Sequence, residues 1–401
     1  MKHTIVGRAV LLAIAIALYL FLVTSCQTGN AINTQEQQSL FANAPGSPIS
    51  IADGPSNIVI GDINNDKKLD LVVACGRSRK IIVLPGKGNG QFSAAASTTT
   101  VPDSPGEIAL GDTNGDGNLD LAIATHDSYG VLLLLGDGKG GLGIAPSSPI
   151  VMKIGQHPHT HGLALADMNG DNKLDLVTVN NSDNDVSIAL GDGRGVFTRA
   201  PRSPFAVGPS PYPLAVGDVN NDGHLDIVAT ATATGPSRAQ QLPLSRALTL
   251  LLSDGRGSFR SSQLPLRTGE PWFAVISDVN GDRKADIVVT HHELNQLTVM
   301  LGDGRGRFVE ASGSPFDFGH HAYHAAVADV NGDSKMDVIA AGGDSVRVML
   351  GDGHGGFATD AMTLTGKGTW RLDAADLNSD GKMDLATSNS ESGTVSVLLG
   401  R

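Results

Sequence analysis

A nine-residue pattern, Asp-x-Asn-x-Asp-x-x-x-Asp, returns seven times along this chain. The copies run from Asp62 to Asp70, Asp112 to Asp120, Asp167 to Asp175, Asp218 to Asp226, Asp278 to Asp286, Asp329 to Asp337 and Asp376 to Asp384. Successive first residues lie 50, 55, 51, 60, 51 and 47 positions apart. A period of about fifty residues with several strand signals inside it is the spacing of propeller blades, and it excludes the far shorter repeat of a calcium β-helix.

The third unit shows the parts. Leu163-Ala164-Leu165-Ala166 leads into the acidic loop and Leu176-Val177-Thr178-Val179 leads out, so the loop joins two buried strands of a hairpin. Val186 to Leu190 is a third strand. Gly191-Asp192-Gly193-Arg194-Gly195 is a tight turn, where glycine supplies positive φ, and Val196-Phe197 opens a fourth strand. Phe92, Phe197, Phe259, Phe308 and Phe357 hold equivalent places after this turn and are expected to wedge between neighbouring units. Fifty glycines and only 17% charged residues suit many short strands with tight connections. The seventh unit stops after its third strand, at Gly400-Arg401. The missing part stands at the other end: Phe41 to Ile49 matches Phe197 to Phe205 and Phe308 to Phe316. The expected fold is all-β, a seven-bladed β-propeller of four-stranded blades over residues 41–401. Its ring is closed by an N-terminal strand that completes the last blade and removes a free edge.

Loop positions 1, 3, 5 and 9 present oxygens suited to a hard cation that takes six to eight of them, with a backbone carbonyl available at position 7. Up to seven Ca²⁺ ions are therefore expected. The candidate ligands are Asp62, Asn64, Asp66 and Asp70; Asp112, Asn114, Asp116 and Asp120; Asp167, Asn169, Asp171 and Asp175; Asp218, Asn220, Asp222 and Asp226; Asp278, Asn280, Asp282 and Asp286; Asp329, Asn331, Asp333 and Asp337; and Asp376, Asn378, Asp380 and Asp384. With three Asp in each of seven loops, 21 of the 41 acidic residues lie here, and seven divalent ions would take the formal charge from −12 to +2. The plainer reading of the same residues is solvated turn formers. A net charge of −12 argues against nucleic acid, which needs a basic footprint.

These units resemble FG-GAP/VCBS repeats, found in integrin α-chain propellers and in bacterial surface proteins, and the resemblance covers residues 41–401. It implies seven blades with Ca²⁺ between the first and second strands of each, held by the Asp, Asn, Asp and final Asp of every loop. The sixth loop position is usually Gly in that family. Here Lys67 and Arg283 occupy it, with Asn172 and Ser334 less disruptive. A bulky residue at positive φ is costly, so the Asp62 and Asp278 loops are expected to bind more weakly.

Ahead of the repeats, Ala9 to Val23 is an apolar run of fifteen residues behind Lys2 and Arg8. It is shorter than the ~20 residues of a membrane span and fits a secretory signal. Its end, Leu22-Val23-Thr24-Ser25-Cys26, resembles a bacterial lipobox. That resemblance implies removal of residues 1–25, lipidation of Cys26, and an exported protein anchored on the periplasmic or cell-surface side of a membrane. Residues 26–40 read as a polar flexible tether. Cys75, in an apolar strand, reads as a small buried residue.

Six residues before each first Asp stand Ser56, Gly106, His161, Tyr212, Trp272, Tyr323 and Trp370; five before stand Asn57, Glu107, Gly162, Pro213, Phe273, His324 and Arg371. His161, Tyr212, Trp272, Tyr323, His324, Trp370 and Arg371 are the candidate ligand-binding face, around the mouth of the channel at the end opposite the acidic loops. Aromatic rings with a few polar neighbours suit carbohydrate or an envelope or extracellular protein. Strand alternation allows a second reading, with the rings as core plugs at the top of each unit. The chain therefore reads first as a binding or adhesion module. A lyase-like polysaccharide-degrading enzyme comes second. It rests on Asp373, which replaces a small apolar residue of the other units, with Arg371, Glu107, His324 and Glu270 near it. No catalytic residue is assigned, since no nucleophile–base motif is visible. Alternate histidines in His157-Pro158-His159-Thr160-His161 give either a transition-metal site or solvated loop histidines. The insertion Thr234 to Ser245 is expected to overhang the same end.

Overall fold

A computed structural model describes residues 39–51, 53–155, 159–231, 246–291 and 294–401. The leader, Cys26, the tether up to residue 38, His157 and the Thr234 to Ser245 insertion lie outside these residues. Among the described residues there is no helix, and the strands form six antiparallel sheets.

Five sheets repeat one plan. In the first, Pro55–Gly61, Asp70–Cys75, Lys80–Leu84 and Ser97–Thr100 pair in sequence order. Three of the five carry an extra short strand beside the third: Ile150–Val151, Phe205–Ala206 and Phe316–Asp317. The sixth sheet has seven strands and departs from a plan of separate four-stranded units. Asp337–Gly351 covers the second and third strand positions of unit six, and Phe357–Ala375 covers its fourth strand and the first strand of unit seven. Gly343, at φ 65°, pairs with Thr369, and the register shifts between Gly343 and Ser345 and again between Arg347 and Met349. Phe41–Asn43 pairs with Thr394–Gly400, with Phe41 opposite Gly400 and Asn43 opposite Leu398.

Each acidic loop is the connection of a hairpin whose last paired residues are the one before the first Asp and the final Asp, such as Ala166 with Asp175. The core lies between successive sheets. Val72, Ile81 and Val83 of the first sheet pack on Ile108, Leu121 and Ile123 of the second. Phe197 packs into the cluster that joins Val131 and Leu133 to Leu176 and Ala189, the wedge position expected of it. Cys75 is fully buried.

Candidate functional site

The seven acidic loops share one hydrogen-bond scheme. In the third, Asp167 Oδ1 accepts the N–H of Asp171 at 3.1 Å and its Oδ2 that of Asn172 at 2.7 Å. Asn169 Oδ1 accepts the N–H of Asp171 at 2.9 Å, and Asp171 Oδ1 that of Lys173 at 3.0 Å. The sixth position sits at positive φ whether it is Gly or not: Lys67 66°, Asn172 61°, Arg283 64° and Ser334 65°. Lys67 and Arg283 still donate their N–H to the first Asp, at 2.8 and 2.7 Å, so a bulky residue does not break the scheme.

The ninth-position Asp behaves differently from the others. Asp175 is fully buried; its Oδ2 accepts the N–H of Met168 at 2.9 Å and its Oδ1 that of Gly191 at 2.8 Å. All seven final Asp make both bonds, tying the start of the loop to the end of the third strand. This explains a glycine that turn geometry alone does not. Gly191 is not at positive φ, but a Cβ there would stand 2.2 Å from the carbonyl oxygen of Leu174. Where glycine stands, this close approach leaves no room for a Cβ, while unit four makes the same bond from Ser253 at 2.7 Å. Burial raises Asp175 to about 6, with the charges of Asp171 and Asp167 adding to it. An all-oxygen donor set whose carboxylates repel one another fits a hard divalent cation. Lys173 Nζ, 3.6 Å from Asp171 Oδ2, supplies part of the counter-charge, and Lys68, Lys284 and Lys335 do the same in their loops.

Asp175→Ala is expected to lower the unfolding free energy by about 2–4 kcal/mol even in chelator, because two buried N–H groups lose their acceptor. Asp171→Ala, on an exposed residue, is expected to cost under about 1 kcal/mol without metal. Denaturant titration of both variants in chelator checks this separation, and equal stabilities would refute it.

At the other end of the first strands the pairing slips. Register shifts fall between Pro55 and Asn57, Pro105 and Ile108, His161 and Leu163, Pro271 and Phe273, and Thr369 and Arg371. The slip corrects the simple alternation argument: a β-bulge resets which face the next side chain takes. From unit three onward the rings at this level meet in an arc. His161 lies 3.8 Å from Tyr212 between ring centroids, and Tyr212 stacks on Trp272 at 4.6 Å. Trp272 meets Tyr323 and Trp370 edge-on at 6.3 and 6.2 Å, and those two stack on each other at 4.7 Å. The arc serves two purposes. Trp272 is 4% exposed and its indole N–H donates to the Tyr323 carbonyl at 3.1 Å, so it is a plug. Tyr323 and Trp370 are half-buried and line a cavity of about 490 Å³ with Asp344, Lys367 and Glu391.

The next level inward lines a smaller cavity of about 220 Å³ whose walls include Asn57, Glu107, Phe273, His324 and Asp373. Arg371, 3% exposed, pairs with Glu107, which also accepts from Asn57 Nδ2 at 2.8 Å. Asp373 is not Arg371's partner: its oxygens accept the N–H groups of Ile60 and Ala374, both at 2.9 Å. His324 packs on Phe273 at 4.1 Å between centroids, and burial pushes its imidazole down to about 3. His324 therefore lines this smaller cavity and is not part of the aromatic arc.

His159 and His161 come together, but the third member of their group is His126, from the connection between the second and third strands of the preceding unit. Burial, then His159 and His126, hold His161 near 2, so it is a neutral imidazole. The signal that could have placed His126 is neighbour order: that connection in one unit adjoins the first strand of the next.

The family profile of the FG-GAP-like repeat matches residues 62–123, 112–178, 167–229, 278–340 and 329–387, more than half of the chain. The chain belongs to the FG-GAP-like repeat family. Each window of this FG-GAP-like protein opens on the first Asp of a loop and runs through the following hairpin, and the unmatched stretch after residue 229 holds the Thr234 to Ser245 insertion. No curated protein matches the chain. Among solved structures, BBS1N in complex with ARL6DN is 14% identical with a TM-score of 0.62, covering 90% of this chain and 98% of that one. A lectin from Agrocybe aegerita, described by its recognition of non-reducing terminal N-acetylglucosamine, is 18% identical with a TM-score of 0.55, over 84% and 86% of the two chains. Virginiamycin B lyase from Staphylococcus aureus is 11% identical with a TM-score of 0.53, over 89% and 99%. At these identities the likeness to the FG-GAP-like chain is one of fold.

Proposed function

We propose that this FG-GAP-like protein is an exported, lipid-anchored binding module, a closed seven-bladed propeller stabilised by Ca²⁺, that takes carbohydrate at the cell envelope. The observation that carries the ligand class is the cavity beside Tyr323 and Trp370. Two stacked, half-buried rings form an apolar platform, and Asp344, Lys367 and Glu391 place hydrogen-bonding groups at its edge. A sugar offers apolar C–H faces ringed by hydroxyls, which that combination matches. A binding role for an extracellular protein is the alternative outcome.

The ring is supported by packing and pairing. First strands contact one another in sequence order from Pro55–Gly61 to His324–Ala328, and Phe357–Ala375 contacts both His324–Ala328 and Pro55–Gly61. The N–H of Ile60 donates to Asp373 across 313 positions of sequence, and Phe41–Asn43 completes the sheet that holds the C-terminal strand. Ca²⁺ in the loops rests on their shared oxygen set; export and the lipid rest on the apolar run that ends at Cys26. The lyase reading is weakened because backbone amides hold the oxygens of Asp373 and Arg371 Nη2 pairs with Glu107, although Arg371 Nε and Nη1 have no hydrogen-bond partner among the described residues. Fold likeness does not choose, since a lectin and a lyase share it.

The test is retention on an array of immobilised envelope polysaccharides, with product analysis. Trp370→Ala is expected to weaken retention at least about tenfold, the effect of losing a stacking platform worth about 1.4 kcal/mol, while the melting temperature stays close to the parent's. Retention unaffected by Trp370→Ala would reject this cavity. Shortened or unsaturated products would make the protein an enzyme, and capture of an envelope protein with no glycan retention would reject carbohydrate.

A further inference from the structure

Three imidazoles from two different units converge at the end of the fold away from the acidic loops. His159 and His161 flank Thr160 at the start of Thr160–Ala166, and His126 follows Asp120–Thr125. One ring nitrogen from each lies within 4.8 Å of the other two, and His159 Nε2 stands 2.8 Å from His161 Nε2. Ring centroids are 4.3, 4.9 and 4.5 Å apart, and every pair is close to perpendicular, at 78°, 84° and 77°. Hydrophobic packing alone asks for no convergence of nitrogens. Three mutually perpendicular rings with their nitrogens turned to one point is the disposition of imidazoles around a four-coordinate ion.

The site is also built to stay in place. The Thr160 hydroxyl donates to the Ser128 carbonyl at 2.7 Å and the Thr160 N–H to the His126 carbonyl at 3.2 Å, which ties the two segments together. Asn181 N–H donates to the His159 carbonyl at 2.8 Å. His161 is backed by the Tyr212 ring. Asp127 Oδ1 is 3.0 Å from His126 Nδ1. A carboxylate there holds the proton on Nδ1 and leaves the Nε2 lone pair free, the arrangement that usually stands behind a metal-bound histidine. His126 and His159 are only half-buried, so an ion has a path in and a fourth position open to water.

We propose that His126, His159 and His161 bind one divalent transition-metal ion of the zinc or copper class. Three imidazole nitrogens suit such an ion and not Ca²⁺, which takes oxygen. The site is thus chemically separate from the seven loops and does not depend on the carbohydrate reading. It stands at the His161 end of the aromatic arc, where a ligand lying on that arc would meet the ion's open position.

The test uses the full chain, stripped of transition metals and saturated with Ca²⁺ so that the acidic loops are occupied, and titrated with Co²⁺. One equivalent is expected to bind with the strong visible absorption of four-coordinate Co²⁺, and Zn²⁺ is expected to displace it. His126→Ala and His159→Ala should each remove that absorption while the metal-free melting temperature holds. His126→Phe, which keeps a ring in the packing and removes both nitrogens, guards against a variant that fails to fold and should lose the signal equally. No visible absorption in the parent, or the same absorption in His126→Phe, would overturn the proposal.

Discussion

Excess chelator is expected to lower the melting temperature of the Ca²⁺-loaded protein by about 10 °C or more, and to expose its hairpins to protease. The magnitude follows from mass action. A site that binds only in the folded state adds about 2.7 kcal/mol when the free ion stands a hundredfold above its Kd. Several such loops outweigh the total stability of an ordinary domain, which is about 5–15 kcal/mol. The ion is expected to displace exposed pairs such as Lys284 Nζ with Asp282 at 2.9 Å, which are worth little in water. Calorimetry with and without chelator, alongside metal analysis of the purified protein, measures the effect. An unchanged melt would refute Ca²⁺ as a structural component. The loop at Asp282 also tests the weakness expected where Arg283 replaces glycine. Since Arg283 keeps its bond to Asp278, any deficit there reflects the conformational cost of a bulky residue at positive φ, not a lost contact.

Trp272→Ala is expected to destabilise the domain by about 3–5 kcal/mol, the usual cost of emptying a buried tryptophan site. The ring stacks on Tyr212 at 4.6 Å, meets Tyr323 and Trp370 edge-on, and leaves only 4% of the residue exposed. Removing it opens a void that its neighbours cannot fill without leaving their own stacks. Trp272→Phe retains most of the packing but loses the bond to the Tyr323 carbonyl and should cost about 1 kcal/mol. Denaturant unfolding of both variants distinguishes plug from surface. A Trp272→Ala protein as stable as the parent would return Trp272 to the binding surface, beside Trp370. The two tryptophans occupy the same position in their units and are expected to respond oppositely: Trp272 in stability, Trp370 in ligand retention.

Much of the acidic-loop architecture was legible because it is local. The pairing of Ala166 with Asp175 and the positive φ of Asn172 follow from residues within one hairpin. The latch role of the ninth Asp was not, because its second partner, Gly191, lies sixteen positions away and the crowding there comes from the carbonyl of Leu174 in the acidic loop. The aromatic level was legible as a set of positions but not as an arrangement. Alternation along a strand gave its rings one face, and the bulges between Pro271 and Phe273 and between Thr369 and Arg371 reset that face. Asp373 and Arg371 stand out in the sequence as charged residues on an inner strand. Which atoms they engage depended on Ile60, Ala374 and Glu107, and two of those belong to other units.

The sequence by itself determined the repeat, the hairpin at each acidic loop and the all-β class, since each is a periodic property of neighbouring residues, and strand alternation and turn chemistry act over that range. The tertiary structure alone decided that Trp272 is enclosed while Trp370 faces a cavity, and that His126 joins His159 and His161. Those outcomes depend on which units adjoin and how far each first strand slips, and a pairing slip of one residue redirects a side chain without leaving a mark in the pattern around it.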